Sequence, residues 1–253
     1  MKQKPNIAKS WDRVSDSWQK RIEPLFLRKD LLWGPYGPWE SDAKLISPVK
    51  NKKVLVAGCG SGPDVWWLAT NGARVTGIDV SPKQLQSAEE RMRKSNLKAV
   101  FIQKDLDKLQ RTQFVNKSFD LVVSNYAFQY VRDLLRLFKV LSSFLRPKGE
   151  FVFSLDHPVS CAIEGKTKLR VDYLNERIQY WSFRDWNASI RTIPAYSYHR
   201  TASAIYNALV DAGFSVGRII EPKPTMKGGI GNSREYKKAQ RIPETIIFQC
   251  IKK

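Results

Sequence analysis

Short apolar runs alternate with amphipathic segments from residue 52 onward. Five of these runs are rich in Val, Ile and Phe, and they occur in the order KKVLVAG, ARVTGID, KAVFIQKD, FDLVVSN and GEFVFSL. Apolar residues stand at consecutive positions rather than at every second one, which is typical of strands buried on both faces of a parallel sheet. The pattern therefore predicts a sheet that is covered on both sides.

The segments between the apolar runs have helical spacing and recognisable helix ends. Ser81 followed by Pro82 predicts an N-cap and a first helical position, residues 131–146 carry a broad apolar face, and Thr201 predicts the cap of a further helix. Alternation of strands and helices favours an α/β fold with a doubly wound sheet and right-handed crossovers.

Two aromatic-rich regions fall outside this alternation. Residues 1–50 contain four tryptophans, and residues 156–199 contain ERIQYWSF and SIRTIPAYSY, which are typical of two strands around a turn at Asp185–Asn187. We interpret both regions as covers over the carboxyl edge of the sheet, where ligands bind in open α/β folds. The chain then divides into an N-terminal cover (1–50), a core (51–155), an aromatic insertion (156–199) and the C-terminal part of the core sheet (200–253).

A glycine-rich turn follows the first predicted strand in VLVAGCGSG, residues 54–62. Glycine permits positive φ angles and lets a ligand approach the backbone closely. The turn alone is a weak signal because nicotinamide, flavin and adenosylmethionine proteins share it. A dinucleotide fingerprint has its third glycine where this chain has Pro63, which disfavours a nicotinamide oxidoreductase.

Acidic residues end the next two predicted strands. Asp79 closes the second strand, at the position where an acid accepts hydrogen bonds from ribose hydroxyls in such folds, and Asp105 closes the third. Carboxyl ends of parallel strands meet at one edge of a sheet. Both acids are therefore expected beside the glycine turn.

The ordered motifs resemble those of class I (Rossmann-like) S-adenosylmethionine-dependent methyltransferases of the small-molecule type. The resemblance runs through VLVAGCGSG, VTGIDVSPKQL, KDLDKL, FDLVVSNYAFQYV and LRPKGEFVFSLDHP, about residues 52–155. It implies a seven-stranded, mostly parallel Rossmann-like sheet with a helical N-terminal cover and a β-rich insertion after the fifth strand. It also implies S-adenosylmethionine (SAM) as cofactor and S-adenosylhomocysteine (SAH) as product. The cofactor-binding residues it implies are Gly58, Cys59, Gly60, Gly62, Asp79, Val80, Gln84, Asp105, Leu106 and Asn125.

One position departs from the family pattern. An acid usually stands two residues before the first glycine of the turn and helps to organise the ammonium group of the cofactor, whereas this chain has Val56. Asp64, or a group from the N-terminal cover, is the candidate replacement.

Candidates for the chemistry are His157, Tyr130 and His199. His157 follows the fifth predicted strand, Tyr130 follows the fourth, and His199 precedes a predicted helix start. A base is needed only if the acceptor atom carries a proton at neutral pH. Packing or capping roles for both histidines and core packing for Tyr130 remain open alternatives. No metal is expected, since the sequence shows no cluster of metal-ligating residues.

The net charge of +19 is the unusual feature of the composition. Such an excess suggests an anionic partner, and it supports an RNA (tRNA or rRNA) methyltransferase as the alternative to one with a small, anionic or aromatic acceptor. Against RNA, SNYAFQY differs from the Asn/Asp-Pro-Pro-aromatic motif of base-amine methyltransferases. A cofactor-binding protein without catalysis is a further alternative. Three scattered cysteines and the absence of a long apolar run predict a cytoplasmic protein without a membrane span.

Overall fold

Five parallel strands, one from each apolar run, form the centre of the sheet. They are β1 (Lys53–Ala57), β2 (Arg74–Asp79), β3 (Ala99–Gln103), β4 (Phe119–Asn125) and β5 (Leu145–Asp156). Adjacent pairs are β3–β2, β2–β1, β1–β4 and β4–β5. This computed structural model describes residues 4–114, 118–164, 168–169, 172–184, 192–226 and 233–253.

A β-rich insertion follows the fifth strand. It contains the two-residue strands β6 (Ile163–Glu164) and β7 (Lys168–Leu169), and then β8 (Ile178–Arg184) and β9 (Thr192–Tyr198). Strands β8 and β9 pair antiparallel in a sheet of their own, with Tyr180 opposite Tyr196. The two predicted aromatic strands are therefore present, while their predicted turn at Asp185–Asn187 lies outside the described residues.

Two C-terminal strands complete the main sheet. They are β10 (Phe214–Ile220) and β11 (Thr245–Lys252), and β11 pairs antiparallel with both β10 and β5. The strand order is β10-β11-β5-β4-β1-β2-β3. This arrangement confirms the predicted α/β fold with a seven-stranded, mostly parallel sheet.

Eight α-helices surround the sheets in the described part of the chain. They are α1 (Ile7–Ile22), α2 (Glu40–Ala43), α3 (Pro63–Thr70), α4 (Pro82–Lys94), α5 (Leu134–Phe144), α6 (Pro158–Ala162), α7 (Ala202–Asp211) and α8 (Ser233–Ala239). The side chains of Ser81 and Thr201 cap α4 and α7, as predicted. Helix α5 is shorter than the predicted 131–146, because Asp133 caps its start and β5 begins at Leu145, directly after its end.

Both faces of the sheet are buried under helices. In β4, Val122 packs into a phenylalanine-rich cluster with α5 and α7, whereas its neighbours Leu121 and Val123 pack into a cluster with α3 and α4. Successive side chains of a strand point to opposite faces, so a strand covered on both sides must be apolar throughout. Among the described residues, no helix combines the length and apolar character that crossing a membrane requires.

Candidate active site

A cavity of about 490 Å³ opens at the carboxyl edge of the parallel strands. Its volume lies within the range of about 300–1,000 Å³ that small-molecule sites occupy. Its walls come from the strand ends, from α1 and from the β8–β9 hairpin. The residues predicted from sequence that line it are Gly58, Cys59, Gly60, Asp79, Val80, Gln84, Asp105, Leu106, Asn125 and Tyr130.

The glycine turn presents bare backbone to this cavity. Gly58 and Gly60 have φ angles of 77° and 51°, which disfavour residues with a side chain. A Cβ atom on Gly60 would meet only one atom within 4 Å, Gln84 Oε1 at 3.9 Å, so this face of the turn is open. Gly62 is different: it precedes α3, a Cβ there would lie 2.9 Å from the Cβ of Ala88, and it does not line the cavity.

Asp79 fixes the shape of the turn from the end of β2. Its Oδ2 atom accepts a hydrogen bond from the Gly60 amide at 2.8 Å, and its Oδ1 atom accepts one from the Ser81 amide at 2.9 Å. Burial raises the pKa of this carboxyl, while the backbone hydrogen bonds lower it. A carboxylate has about four lone-pair sites, so Asp79 can still accept hydrogen bonds from ligand hydroxyls.

The loop after β3 is held equally firmly. Asp105 accepts a hydrogen bond from the Asp107 amide at 2.9 Å and so caps the 3-10 helix Leu106–Lys108. Arg136 of α5 donates to the carbonyl oxygens of Leu106 and Leu109 at 2.6 and 2.7 Å. The Asp105–Leu106 segment therefore meets the cavity as a rigid edge.

Asp64 is a further acid in the cavity wall, in the first turn of α3. The residue is only 5% exposed, and burial raises the pKa of its carboxyl to about 7 while a hydrogen bond from Asn125 lowers it. Asn125 is itself fixed, because it donates to the Leu32 carbonyl and accepts from the Ser154 hydroxyl. Asp64 thus supplies the cavity with a buried carboxyl, which Val56 does not.

Several buried polar atoms of the lining lack a hydrogen-bond partner in the described structure. They are Gln84 Nε2, Ser61 Oγ, Trp39 Nε1 and Gln129 Oε1. Buried polar groups are nearly always paired in native proteins. Their concentration around one cavity, together with the carboxylates and the open glycine backbone, fits a ligand rich in hydroxyl and amino groups such as SAM.

Six aromatic side chains in contact with one another form a wall of the cavity, called here the aromatic wall: Trp11, Trp18, Tyr130, Trp181, Phe183 and Tyr196. Trp11 is at its centre, with its ring centroid 4.7 Å from that of Phe183 and 5.7 Å from that of Trp18. Helix α1, strands β8 and β9 and the loop after β4 therefore form this wall together. Such rings provide flat contact area at little cost in conformational entropy.

The cavity is acidic although the protein as a whole is strongly basic. Five aspartates line it, and among its described lining residues there is no Lys, Arg or His. Those aspartates are Asp30, Asp64, Asp79, Asp105 and Asp156. An anion entering this space would meet like charges in a partly desolvated environment, where repulsion is stronger than in water.

The two histidines are placed away from the cavity lining. His157 caps α6: its Nδ1 accepts from the Val159 amide at 3.1 Å, so its Nε2 donates to Glu221, 2.7 Å away. His199 is buried, and its Nε2 donates to the Tyr173 carbonyl at 2.9 Å. The structure thus does not bring His157 and His199 together with Tyr130, which does line the cavity.

Tyr130 and its neighbour Tyr126 are both in the lining. Burial raises the pKa of each phenol well above its usual range, and the nearby charge of Asp156 raises it further. Both side chains therefore stay neutral near pH 7. The Tyr126 hydroxyl is already engaged with Thr245 and the Glu244 carbonyl.

Helix α1 is tied to the start of α4 beside the cavity by contacts that sequence reasoning missed. Asp12 accepts hydrogen bonds from the Ser81 hydroxyl at 2.6 Å and the Lys83 amide at 3.3 Å, and Gln19 donates to Gln84 at 3.0 Å. These partners are separated by 65 to 71 positions in sequence. No local pattern could have indicated them.

The fold and the site define an S-adenosylmethionine-dependent methyltransferase with a Rossmann-like sheet. The chain belongs to the family of methyltransferase domains, whose model matches residues 48–194. This confirms the resemblance drawn from the motifs. The described residues contain no group of three or more His, Cys, Asp or Glu side chains that could hold a metal ion.

Individual relatives agree with this assignment. A protein of Haemophilus influenzae described only as uncharacterized is 31% identical over 189 residues, which cover 70% of this chain and 73% of that protein. The demethylmenaquinone methyltransferase of Tropheryma whipplei is 27% identical, and the match covers 60% of each chain. The crystal structure of an S-adenosylmethionine-dependent methyltransferase from Mesorhizobium loti is 29% identical, has a TM-score of 0.67, and is matched over 87% of this chain and 100% of that one.

Proposed function

We propose that this protein transfers the methyl group of SAM to a small, flat acceptor that is neutral or positively charged. The observation that carries this proposal is the cavity itself, which combines an open glycine turn, an aromatic wall and five aspartates. Its negative charge speaks against the anionic acceptor that the net charge suggested. A demethylmenaquinone methyltransferase among the relatives supports an acceptor of small-molecule size.

The lining offers a partner for each part of the cofactor. Gly58 and Gly60 would face its methionine part through bare backbone, and Asp79 would accept hydrogen bonds from the ribose hydroxyls. The segment Asp105–Leu106 would meet the adenine edge. Asp64, which is hydrogen-bonded to Asn125, would pair with the ammonium group. It would thus replace the acid that the family usually has at the position of Val56. Of the remaining cofactor-binding predictions, Cys59, Val80 and Gln84 also line the cavity, whereas Gly62 does not.

The protein's part in the reaction is to position and desolvate the two substrates. SAM, when bound, supplies an activated methyl carbon, so catalysis depends on holding the acceptor atom in line with it. The aromatic wall would orient a flat ring, and neutral Tyr130 can donate a hydrogen bond to it. An acceptor packed against the aromatic wall beside the cofactor would exclude water from this step.

The strongest test of the function distinguishes a small acceptor from an RNA acceptor. RNA is the alternative that the net charge of +19 favours. A cell extract is incubated with the protein and methyl-labelled SAM, and then divided into metabolite and nucleic-acid fractions. We expect the label in the metabolite fraction, unchanged by prior ribonuclease treatment. Label in RNA, together with RNA binding at about 50 mM salt that weakens steeply as salt rises, would favour the alternative instead.

Replacing Asp79 with alanine should weaken SAM binding by about 1–3 kcal/mol, because hydrogen bonds from the ribose to a charged group are lost. Calorimetric titration with SAM and with SAH measures the effect. Asp211→Asn is the matched control, since Asp211 is exposed at the end of α7 and does not line the cavity. An unchanged dissociation constant for Asp79→Ala would remove Asp79 from the site.

A further inference from the structure

Asp156 continues the row of functional groups along the carboxyl edge of the sheet. Strands β3, β2, β1, β4 and β5 are neighbours in that order. The groups proposed for adenine follow β3, the group proposed for ribose ends β2, the glycine turn follows β1, and Asn125 ends β4. Asn125 is in register with Ser154, so Asp156 at the end of β5 extends past it on the side away from the ribose. This is where an acceptor would have to lie.

The Asp156 carboxyl lines the cavity and has no hydrogen-bond partner among the described residues. Burial and, to a smaller extent, the charge of Glu244 raise its pKa to about 7, against the lowering effect of Lys238 on α8. Tyr126 and Tyr130, in the loop after β4, are the other titratable groups facing it, and both are neutral. An unpaired carboxyl in this position is available to a ligand.

The aromatic wall brings a flat ligand to this carboxyl. The ring of Tyr130 lies 6.1 Å from that of Trp11 and 6.5 Å from those of Trp181 and Tyr196. Tyr130 is also close enough to Asp156 for the carboxylate charge to raise the pKa of the phenol. A ring packed against the wall can therefore direct a polar substituent towards Asp156.

Other candidates for a base at this end of the cavity are ruled out by their surroundings. The two phenols keep their protons, His157 and His199 are engaged elsewhere, and Asp64 stands on α3 at the methionine end. Asp30, Asp79 and Asp105 accept hydrogen bonds from backbone amides. Within the described lining, Asp156 therefore remains as the carboxylate near Tyr130 that is free to take up a proton.

We propose, on the basis of the function proposed above, that Asp156 is the proton acceptor for a hydroxyl group on a flat aromatic ring, so that the acceptor is of the phenol type. As the hydroxyl oxygen forms its bond to the methyl carbon, the carbon–sulfur bond breaks and its electron pair stays on sulfur. The hydroxyl proton passes to the Asp156 carboxylate and leaves to solvent after product release. Atoms and charge balance without a further reactant.

The test compares 2-naphthol with naphthalene, which has the same rings but no hydroxyl, by calorimetric titration of the SAH-bound protein. The wild type should bind 2-naphthol about 10- to 100-fold more tightly than naphthalene, as expected for a hydrogen bond to a charged group. In Asp156→Asn this preference should shrink to a few-fold at most. With SAM, methylation of 2-naphthol should fall about 100-fold or more, while the dissociation constant of SAM stays unchanged.

The outcomes separate this inference from the function on which it rests. Failure of the wild type to bind SAH would overturn the proposed function. With SAH bound, three results would overturn the role of Asp156: equal affinity for 2-naphthol and naphthalene, a preference that survives in Asp156→Asn, or methylation of 2-naphthylmethylamine without that of 2-naphthol. Asp211→Asn should behave as the wild type. Thermal unfolding shows whether the Asp156→Asn variant is folded. We expect it to be folded, because the carboxyl that is replaced makes no hydrogen bond within the described structure.

Discussion

Replacing Gly58 with alanine should abolish detectable SAM binding and lower the stability of the fold by about 2–5 kcal/mol. Gly58 has a φ angle of 77°, and a Cβ atom there would lie 2.2 Å from the Cβ of Ala127 in the loop after β4. The clash cannot be relieved by a side-chain rotation, because a Cβ atom is fixed to the backbone. Either the glycine turn or the loop that bears Tyr126 must therefore move.

Two other glycines separate the causes of this effect. Gly60→Ala has a similar backbone requirement but no clash, so it should cost less stability and still impair SAM binding by placing a methyl group in the cavity. Gly213→Ala has a φ angle of 86° with open space around it, far from the site, and should lower stability alone. Chemical denaturation and calorimetry measure the two quantities. Gly58→Ala protein with wild-type affinity for SAM would contradict the placement of the cofactor on the turn.

Those parts of the fold that have a local signal in the sequence could be predicted from it. Buried strands, caps such as Ser81 and the strand-ending acid Asp79 each have a signal within a few residues. The α/β class and the methyltransferase family follow from their order along the chain. Asp105, predicted to end the third strand, lies two residues beyond the end of β3 and caps a 3-10 helix instead. Contacts such as Asp12 with Ser81 have no such signal, since they depend on how α1 packs against α4.

At the end of β5, the sequence could not show which of two neighbouring residues, Asp156 or His157, faces the cavity. The sequence SLDHP drew attention to His157, because histidine titrates near neutral pH, and left Asp156 unnoticed. In an extended strand, adjacent side chains point to opposite sides, so only one of the two could face the cavity. The structure gives that place to Asp156 and turns His157 towards Glu221. The register that decides between them is set by the pairing of β5 with β11.

Composition was a poor guide to the charge of the site. A net charge of +19 describes the whole chain and predicts an anionic partner. Charged residues are sorted on folding, and long Lys and Arg side chains keep their charges in water. In this protein the cavity is lined by shorter acidic side chains, among them Asp64, Asp79 and Asp156. The preference for neutral or cationic acceptors that we propose for the cavity is therefore opposite to the one that the net charge of the whole chain suggests.

Replacing Asp64 with asparagine should stabilise the protein at alkaline pH by about 2–4 kcal/mol and at the same time weaken SAM binding. The pKa of Asp64 is about 7 in the folded protein, against an ordinary value of 3.8. The folded state therefore binds more protons than the unfolded state between these values, and stability falls as pH rises through this interval. Above about pH 7 the buried charge is present in full, and a neutral amide in its place would remove the cost of burying it.

The cofactor should reverse this penalty in the wild type, because its ammonium group would stabilise the ionised Asp64 carboxylate. SAM affinity should then rise with pH up to about 7, where Asp64 ionises without help, and the Asp64→Asn variant should lose this dependence. Denaturation at several pH values and calorimetry with SAM measure both effects, with Asp211→Asn as control.

A variant that gains stability at alkaline pH but binds SAM as tightly as the wild type would show that Asp64 is a buried acid without a role in cofactor binding. A variant that neither gains stability nor loses affinity would mean that the carboxyl is ionised and satisfied within the protein. We expect the Asp64→Asn variant to gain stability and to lose affinity for SAM. This combination would mean that the Asp64 carboxyl lowers the stability of the fold but is needed to bind the cofactor.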